Sequence, residues 1–146
     1  MNIMTFRGAF DFLSNFYPAK VEYEGIVYET VETAFQAQKS LDRDERLAFA
    51  PLSAAKAKSR GQKVKLRSDW ENVKVELMER IVRAKFVQHP ELAARLVSTG
   101  KMPLIEGNAW HDVFWGVDVR TGEGENHLGR ILMAIRKEMQ QRLALA

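Results

Sequence analysis

A predominantly helical α+β domain with a small N-terminal β-hairpin is the fold class this sequence predicts. Two long stretches, Trp70–Gln88 and Leu128 to about Leu143, repeat apolar residues near a 3.6-residue period. Two short β-prone runs flank Glu24-Gly25 near the start of the chain. The 146 residues contain no cysteine, so packing must hold the chain, without disulfides or thiolate-bound metal. One domain over residues 1–146 is expected.

The elements follow in order. Phe6 to Tyr17, rich in aromatics around Gly8 and Ser14-Asn15, reads as a short strand and then a turn-rich loop that Pro18 stiffens. Val21-Glu22-Tyr23 and Ile26-Val27-Tyr28 pair as a hairpin across Glu24-Gly25, although Glu before Gly is a weaker turn signal than Asn or Asp. Thr30 caps a helix running to about Leu41, with Val31, Ala34, Phe35 and Gln38 facing one way and Glu32, Gln36 and Lys39 another. Asp42-Arg43-Asp44 interrupts it. A short helix follows through Ala50 and another from Pro51 to Ser59, with Gly61 as its C-cap.

Trp70–Gln88 carries Val73, Leu77, Ile81, Ala84 and Phe86 on its apolar side, with Ser68 or Asp69 as N-cap, and His89-Pro90 stops it. Glu91 to Val97 forms a further short helix ended by Thr99-Gly100. Leu104-Ile105-Glu106 and Val113 to Val117 read as short extended pieces. The last helix presents Ile131, Leu132, Ile135, Met139 and Leu143 on one side.

Composition narrows the functional classes. No apolar run approaches membrane-spanning length and no export leader is apparent, so a cytosolic protein without membrane partners is expected. The net charge is only +3, yet Lys56, Lys58, Arg60, Lys63, Lys65 and Arg67 form a run without an acid before Asp69. Such a run is either a solvated face or a positive surface for phosphates on a nucleotide or nucleic acid. His89, His111 and His127 are scattered without paired-ligand spacing, which argues against metal. Neither a nucleophile elbow nor a Walker loop occurs.

Carboxylate chemistry remains. Glu32, Gln36 and Lys39 fall at spacings of four and three, a single helical face that is a solvated surface, a buried polar network or a reaction centre. Glu106 follows an apolar pair, and Asp112 lies between Trp110 and Trp115, where an ionisable group is costly unless bonded or used. Gly122-Glu123-Gly124-Glu125-Asn126 opens the last helix, either as a tight turn or as free N–H groups for an anion.

Ordered motifs then bring a family into view: Phe6-Arg7-Gly8, Phe12-Leu13-Ser14-Asn15-Phe16-Tyr17-Pro18, Glu32-Thr33-Ala34-Phe35-Gln36-Ala37-Gln38-Lys39, Asp69-Trp70, Lys85-Phe86-Val87-Gln88, Leu104-Ile105-Glu106, Asp112-Val113-Phe114-Trp115-Gly116 and Gly124 to Met133. Together they resemble the YbiA-like, or NADAR, family over nearly the whole chain. The resemblance implies an N-glycosidase that needs no cofactor. Its substrates would be riboflavin-pathway aminopyrimidine ribosyl phosphates or ADP-ribosylated guanine in nucleic acid. A non-catalytic ADP-ribose or NAD-binding module, and a regulatory partner contacting nucleic acid, are the rival readings.

By the same resemblance, the family's functional glutamate, tryptophan and aspartate fall on Glu32, Trp70 and Asp112. The carboxylates would support an oxocarbenium-like sugar and protonate the leaving base, while Trp70 stacks on that base. Lys39 would keep Glu32 ionised or attack C1′ as an amine. Arg7, Ser14, Asn15, Phe16, Gln36, Arg60, Glu106, Trp115, Gly116, Asn126 and Gly129 are the expected substrate contacts. Two departures stand out: Thr33-Ala34 replaces the family's His-Tyr after the glutamate, and Val27-Tyr28-Glu29 replaces its usual Trp-Pro.

Overall fold

The computed structural model describes residues 2–145, in two compact units. One is Asn15–His89; the other combines the described residues before and after it. Helices dominate both.

Asn15–His89 opens with β1 (Val21–Tyr23) and β2 (Ile26–Tyr28), antiparallel with Val21 opposite Tyr28 and Tyr23 opposite Ile26. Glu24 and Gly25 both have positive φ, 49° and 83°, the requirement of a type I′ hairpin turn. On β1, the Gln88 side chain accepts from Glu22 N–H at 2.8 Å and donates to Glu22 C=O at 2.9 Å. A side chain at the end of a helix thereby pairs backbone groups that an edge strand would leave open.

Next come α1 (Val31–Ala37), α2 (Arg43–Phe49), α3 (Ala54–Gly61) and α4 (Trp70–Gln88). Each of the first three is started by a local cap: Thr30 Oγ1 accepts from Thr33 N–H, Asp42 from Asp44 N–H and Ser53 from Lys56 N–H. Asp69 precedes α4 without capping it, because its carboxylate is held by Arg67 at 2.6 and 3.0 Å. α1 lies at the centre of this unit, packed against α2, α3 and α4, and every residue from Val31 to Gln38 is buried.

The other unit begins with a 3-10 helix, Gly8–Leu13, where the sequence reading expects a strand. Gly8 at φ 57° turns the chain, and Phe12 and Leu13 bury together in a way an alternating strand could not achieve. Arg95 stacks over the Phe12 ring at 4.2 Å and donates to Ala9 C=O at 2.9 Å. Arg95 belongs to α5 (Pro90–Ser98), which packs on α6 (His127–Leu145). Between them run β3 (Gly107–Asn108) and β4 (Val117–Asp118), a short parallel pair, and Ile3 bridges Leu104.

Arg136 of α6 is 6 % exposed and donates at 2.8 Å to both Thr99 Oγ1 and Met102 C=O, while Gln140 donates to Gly100 C=O at 3.0 Å. These side chains satisfy carbonyls at and beyond the end of α5, where the chain has no helical partner left. The apolar stripe of α6 is shorter than its periodicity implies, since Leu143 is 62 % exposed.

Candidate functional site

The Glu32 row is buried, which removes the solvated-face reading. Glu32 is 9 % exposed and Gln36 6 %. One turn apart on α1, they meet directly: Gln36 Nε2 donates to Glu32 Oε2 at 2.9 Å. The helix start is fixed from outside as well, because Glu32 N–H donates to Asn15 C=O at 3.1 Å, and Asn15 Nδ2 in turn reaches Met78 Sδ at 3.4 Å. Thr33, one of the departures from the family pattern, donates its hydroxyl to Leu52 C=O at 3.0 Å and ties α1 to the α2–α3 connection.

Lys39 does not continue the helical face as its spacing implies. α1 ends at Ala37, and Gln38, Lys39 and Ser40 donate to the carbonyls three residues back, tightening the last turn. The Lys39 ammonium is thereby carried to Gly61 C=O, at 3.5 Å, and over the Trp70 ring, 5.9 Å from its centre. Burial pushes the Lys39 amine below its ordinary value of 10.5; Glu32 opposes that shift and Lys58 reinforces it. Trp70 is itself 6 % exposed and packs against Phe35 at 5.0 Å, so in the free protein its indole is a platform for Lys39.

Gly61 is the residue that the sequence reading misplaces. It is the last residue of α3, not a left-handed cap, and Gln62 takes the cap position in a right-handed conformation. Glycine is required for another reason. A Cβ at this position would collide with Gln36 Oε1 and lie 2.9 Å from Gln36 Cδ. Gln36 Oε1 is buried without a hydrogen-bond partner among the described residues, and its amide is seated against the bare Cα of Gly61. Only the glycine's position in the middle of a basic run could have drawn attention to it.

Of the other expected contacts in this unit, Phe16 is 45 % exposed and follows Asn15. Arg60 is committed to Glu45 at 2.9 Å and lies over the Phe49 ring at 5.3 Å.

The second unit holds Arg7, Ser14, Glu106, Asp112, Trp115, Gly116, Asn126 and Gly129. Asp112 Oδ1 accepts from the N–H groups of Phe114 and Trp115 at 3.2 and 3.0 Å, an Asx-type turn that sets the Phe114–Gly116 loop. Asn108, 3 % exposed, brackets the same residue by accepting from Asp112 N–H and donating to Asp112 C=O, both at 2.9 Å. Gly116 lies against Glu106, where a Cβ would strike its carbonyl and carboxylate. Arg7 and Ser14 flank the 3-10 helix, with Ser14 N–H bonded to Asp11 C=O.

Of the two forms open to the glycine turn before α6, the chain takes the tight turn, against the phosphate contacts expected of Asn126 and Gly129. The N–H groups of Glu125, Asn126, His127 and Leu128 donate to the carbonyls of Val113, Gly116, Phe114 and Trp115 at 2.7 to 3.2 Å, so they are not open to an anion. Asn126 stands at φ 55° and clamps the chain, accepting from Glu106 N–H and donating to Leu104 C=O, both at 3.0 Å. Gly129 makes room for that side chain and for Leu104 C=O. This segment is a tight turn.

Beside it, Asp118 is 1 % exposed and receives Arg120, through backbone and guanidinium, and His111 Nδ1 at 2.9 Å. The Arg120 guanidinium first, then His111, hold its carboxyl far below the ordinary 3.8. A depressed carboxyl stabilises the fold above the unfolded value and loses that contribution as pH falls through the acid range. Asp118→Asn is accordingly expected to lower Tm at pH 7, with the deficit shrinking as pH drops below 3.8. A deficit that stays constant from pH 7 to strongly acid conditions would contradict this account.

The NADAR domain family matches residues 5–140 of the chain. The N-glycosidase YbiA of Escherichia coli strain K12 is 40% identical over 130 residues, covering 86% of this chain and 79% of its own length. The riboflavin biosynthesis protein VVA0006 of Vibrio vulnificus is 40% identical over 133 residues, which is 89% of this chain but 36% of that protein. This chain thus spans about a third of the longer relative. The NMR structure of the E. coli protein YbiA superimposes with a TM-score of 0.85 at 34% identity, over 98% of this chain and 88% of that one.

Proposed function

The chain belongs to the NADAR domain family, and from that premise we propose that it is an N-glycosidase that hydrolyses the ribosyl C1′–N bond of a guanine-related riboside. It is a hydrolase of N-glycosyl bonds, with Glu32 as its central carboxylate. One observation carries the reading: Glu32 is nine-tenths enclosed, aimed by the Gln36 amide, and electrostatically coupled to the half-buried Lys39.

Such a carboxylate suits this reaction. As the C1′–N bond breaks, positive charge builds on the sugar, and an oriented anion in a poorly solvated place stabilises it far better than one in water. Water adds to C1′, the bond electrons leave with the base nitrogen, and that nitrogen takes up a proton. Gln36 contributes by holding one carboxylate oxygen in place. The depressed Lys39 amine spends more time neutral than a free lysine, so in place of water it can attack C1′ of a ring-opened ribosyl group, the base leaving as its amine as the lysyl imine forms, and water then hydrolyses that imine to free the sugar and the lysine.

The candidate substrates are ribosylaminopyrimidine phosphates of riboflavin synthesis, in keeping with the names of the relatives, and ADP-ribosylated guanine. Incubating the protein with each and quantifying released base by chromatography tests the reading and ranks them. Release from either substrate supports it, whereas tight binding with no base released from both would leave a binding module. Borohydride added during turnover is expected to trap a ribosyl adduct on wild-type protein and none on Lys39→Ala, with yield rising as pH approaches the lowered amine value from below. Equal trapping on the two proteins would remove Lys39 as nucleophile.

A further inference from the structure

At Trp70 the use implied by the family resemblance and the surroundings in the structure conflict. Stacking on a leaving base needs an open ring face. Trp70 is 6 % exposed, with Phe35 packed against the indole at 5.0 Å and tilted by 48°, and with the Lys39 ammonium 5.9 Å from the ring centre. An indole enclosed to this degree has no face left for a base.

The start of α4 grips Lys39 twice. Through the backbone, Arg67 N–H donates to Lys39 C=O at 2.9 Å, Arg67 Nη1 reaches Gln38 C=O at 3.4 Å, and Trp70 N–H closes the next turn on Arg67 C=O at 3.3 Å. Through the side chain, the indole and the Gly61 carbonyl, 3.5 Å from Nζ, both engage the ammonium. A lysine swings on a flexible four-carbon stem, so fixed attractors at its tip decide where the nitrogen points. A ring face and a carbonyl oxygen both favour the ammonium over the neutral amine. The charged groups around it act in both directions: Glu32 of α1 favours the ammonium, Lys58 of α3 disfavours it, and Arg67 and Asp69 ahead of α4 are paired with each other.

We propose that Trp70 is a positioning residue, whose indole aims the Lys39 nitrogen and does not stack on the departing base. The proposal rests on the reading of Lys39 as the amine that attacks C1′. Recognition of the base then falls to other groups, and Trp70 acts on the chemistry only through Lys39. At 5.9 Å the contact stands just inside the reach of a cation over a ring. Its loss should therefore be felt at the low end for such contacts, about 2- to 5-fold in kcat.

Fluorine NMR of the full chain labelled with fluorotryptophan tests this directly, because the three tryptophans give three resonances and Trp70→Phe identifies one of them. The Trp70 signal is expected to shift across the pH range in which Lys39 loses its proton, and Lys39→Met should abolish that shift. Guanosine or the free aminopyrimidinone, added to saturation, should leave the signal in place, whereas a stacked base would displace it through its ring current. In steady-state kinetics, Trp70→Leu should lower kcat and the yield of borohydride-trapped adduct by the same factor, with KM unchanged. Trp70→Phe keeps a ring for Phe35 to pack on and a weaker cation contact, so it should fall between the two and guards against a leucine variant that does not fold. A Trp70 signal indifferent to Lys39→Met, a signal displaced by the base, or a loss carried by KM overturns the proposal. The NMR measurements need no turnover, so the pairing of Trp70 with Lys39 is decided even if neither substrate is hydrolysed, and its failure is distinguishable from failure of the glycosidase reading.

Discussion

Glu32→Gln is expected to lower kcat by about 10²–10⁴-fold, the range typical for loss of a group acting on a developing transition state, while leaving the melting temperature nearly unchanged. The substitution is close to isosteric, and the new side-chain oxygen can still accept from Gln36 Nε2, which reaches Glu32 Oε2 at 2.9 Å in the wild type. What disappears is the negative charge, and with it the counterpart of the sugar cation. KM should move much less than kcat, because an uncharged substrate ribose gains little from the carboxylate before the bond stretches. Steady-state kinetics on whichever substrate is turned over would check this. A kcat within threefold of wild type would remove Glu32 from the chemistry.

Gly61→Ala is expected to disable the enzyme from a position with no side chain of its own to offer the chemistry, its carbonyl remaining the acceptor for Lys39. The added methyl displaces the Gln36 amide, and the most accessible escape is to swing that amide off Glu32. Losing a hydrogen bond to a charged group is worth about 1.5–3 kcal/mol, which corresponds to roughly a 10- to 100-fold fall in kcat if the bond orients Glu32 in the transition state. Stability should change less, since alanine gains up to about 1 kcal/mol over glycine in a helix and offsets part of the crowding. A double-mutant cycle isolates the cause: in a Gln36→Ala background, Gly61→Ala should cost almost nothing further in kcat. Additive losses would mean that Gly61 acts by another route.

These two residues differ in how far the chain announces them. Glu32 stands out in the sequence because its spacing to Gln36 is a single helical turn, and local geometry makes that neighbourhood nearly obligatory once Thr30 starts the helix. Gly61 carries no such signal. Its identity is dictated by a side chain on a different helix, and a sequence reading naturally assigns it to the commonest local use of glycine, the C-cap. Asn126 and Gly129 repeat the lesson in the other unit. Their spacing suits either a tight turn or an anion site, and tertiary hydrogen bonds to Val113, Phe114, Trp115 and Gly116 decide for the turn by consuming the N–H groups concerned.

The chain alone determined the helical α+β class, the hairpin at Glu24-Gly25, the caps at Thr30 and the limits of α4, because periodicity, turn chemistry and capping act over one or two turns of backbone. Tertiary structure alone decided that the Glu32 row is enclosed, that α1 tightens early and hands Lys39 to Gly61 and Trp70, and that Asp118 gathers His111 and Arg120. Burial and partner choice depend on which distant segments pack together, and a polar residue's protonation, orientation and use follow from that packing, not from its neighbours in sequence.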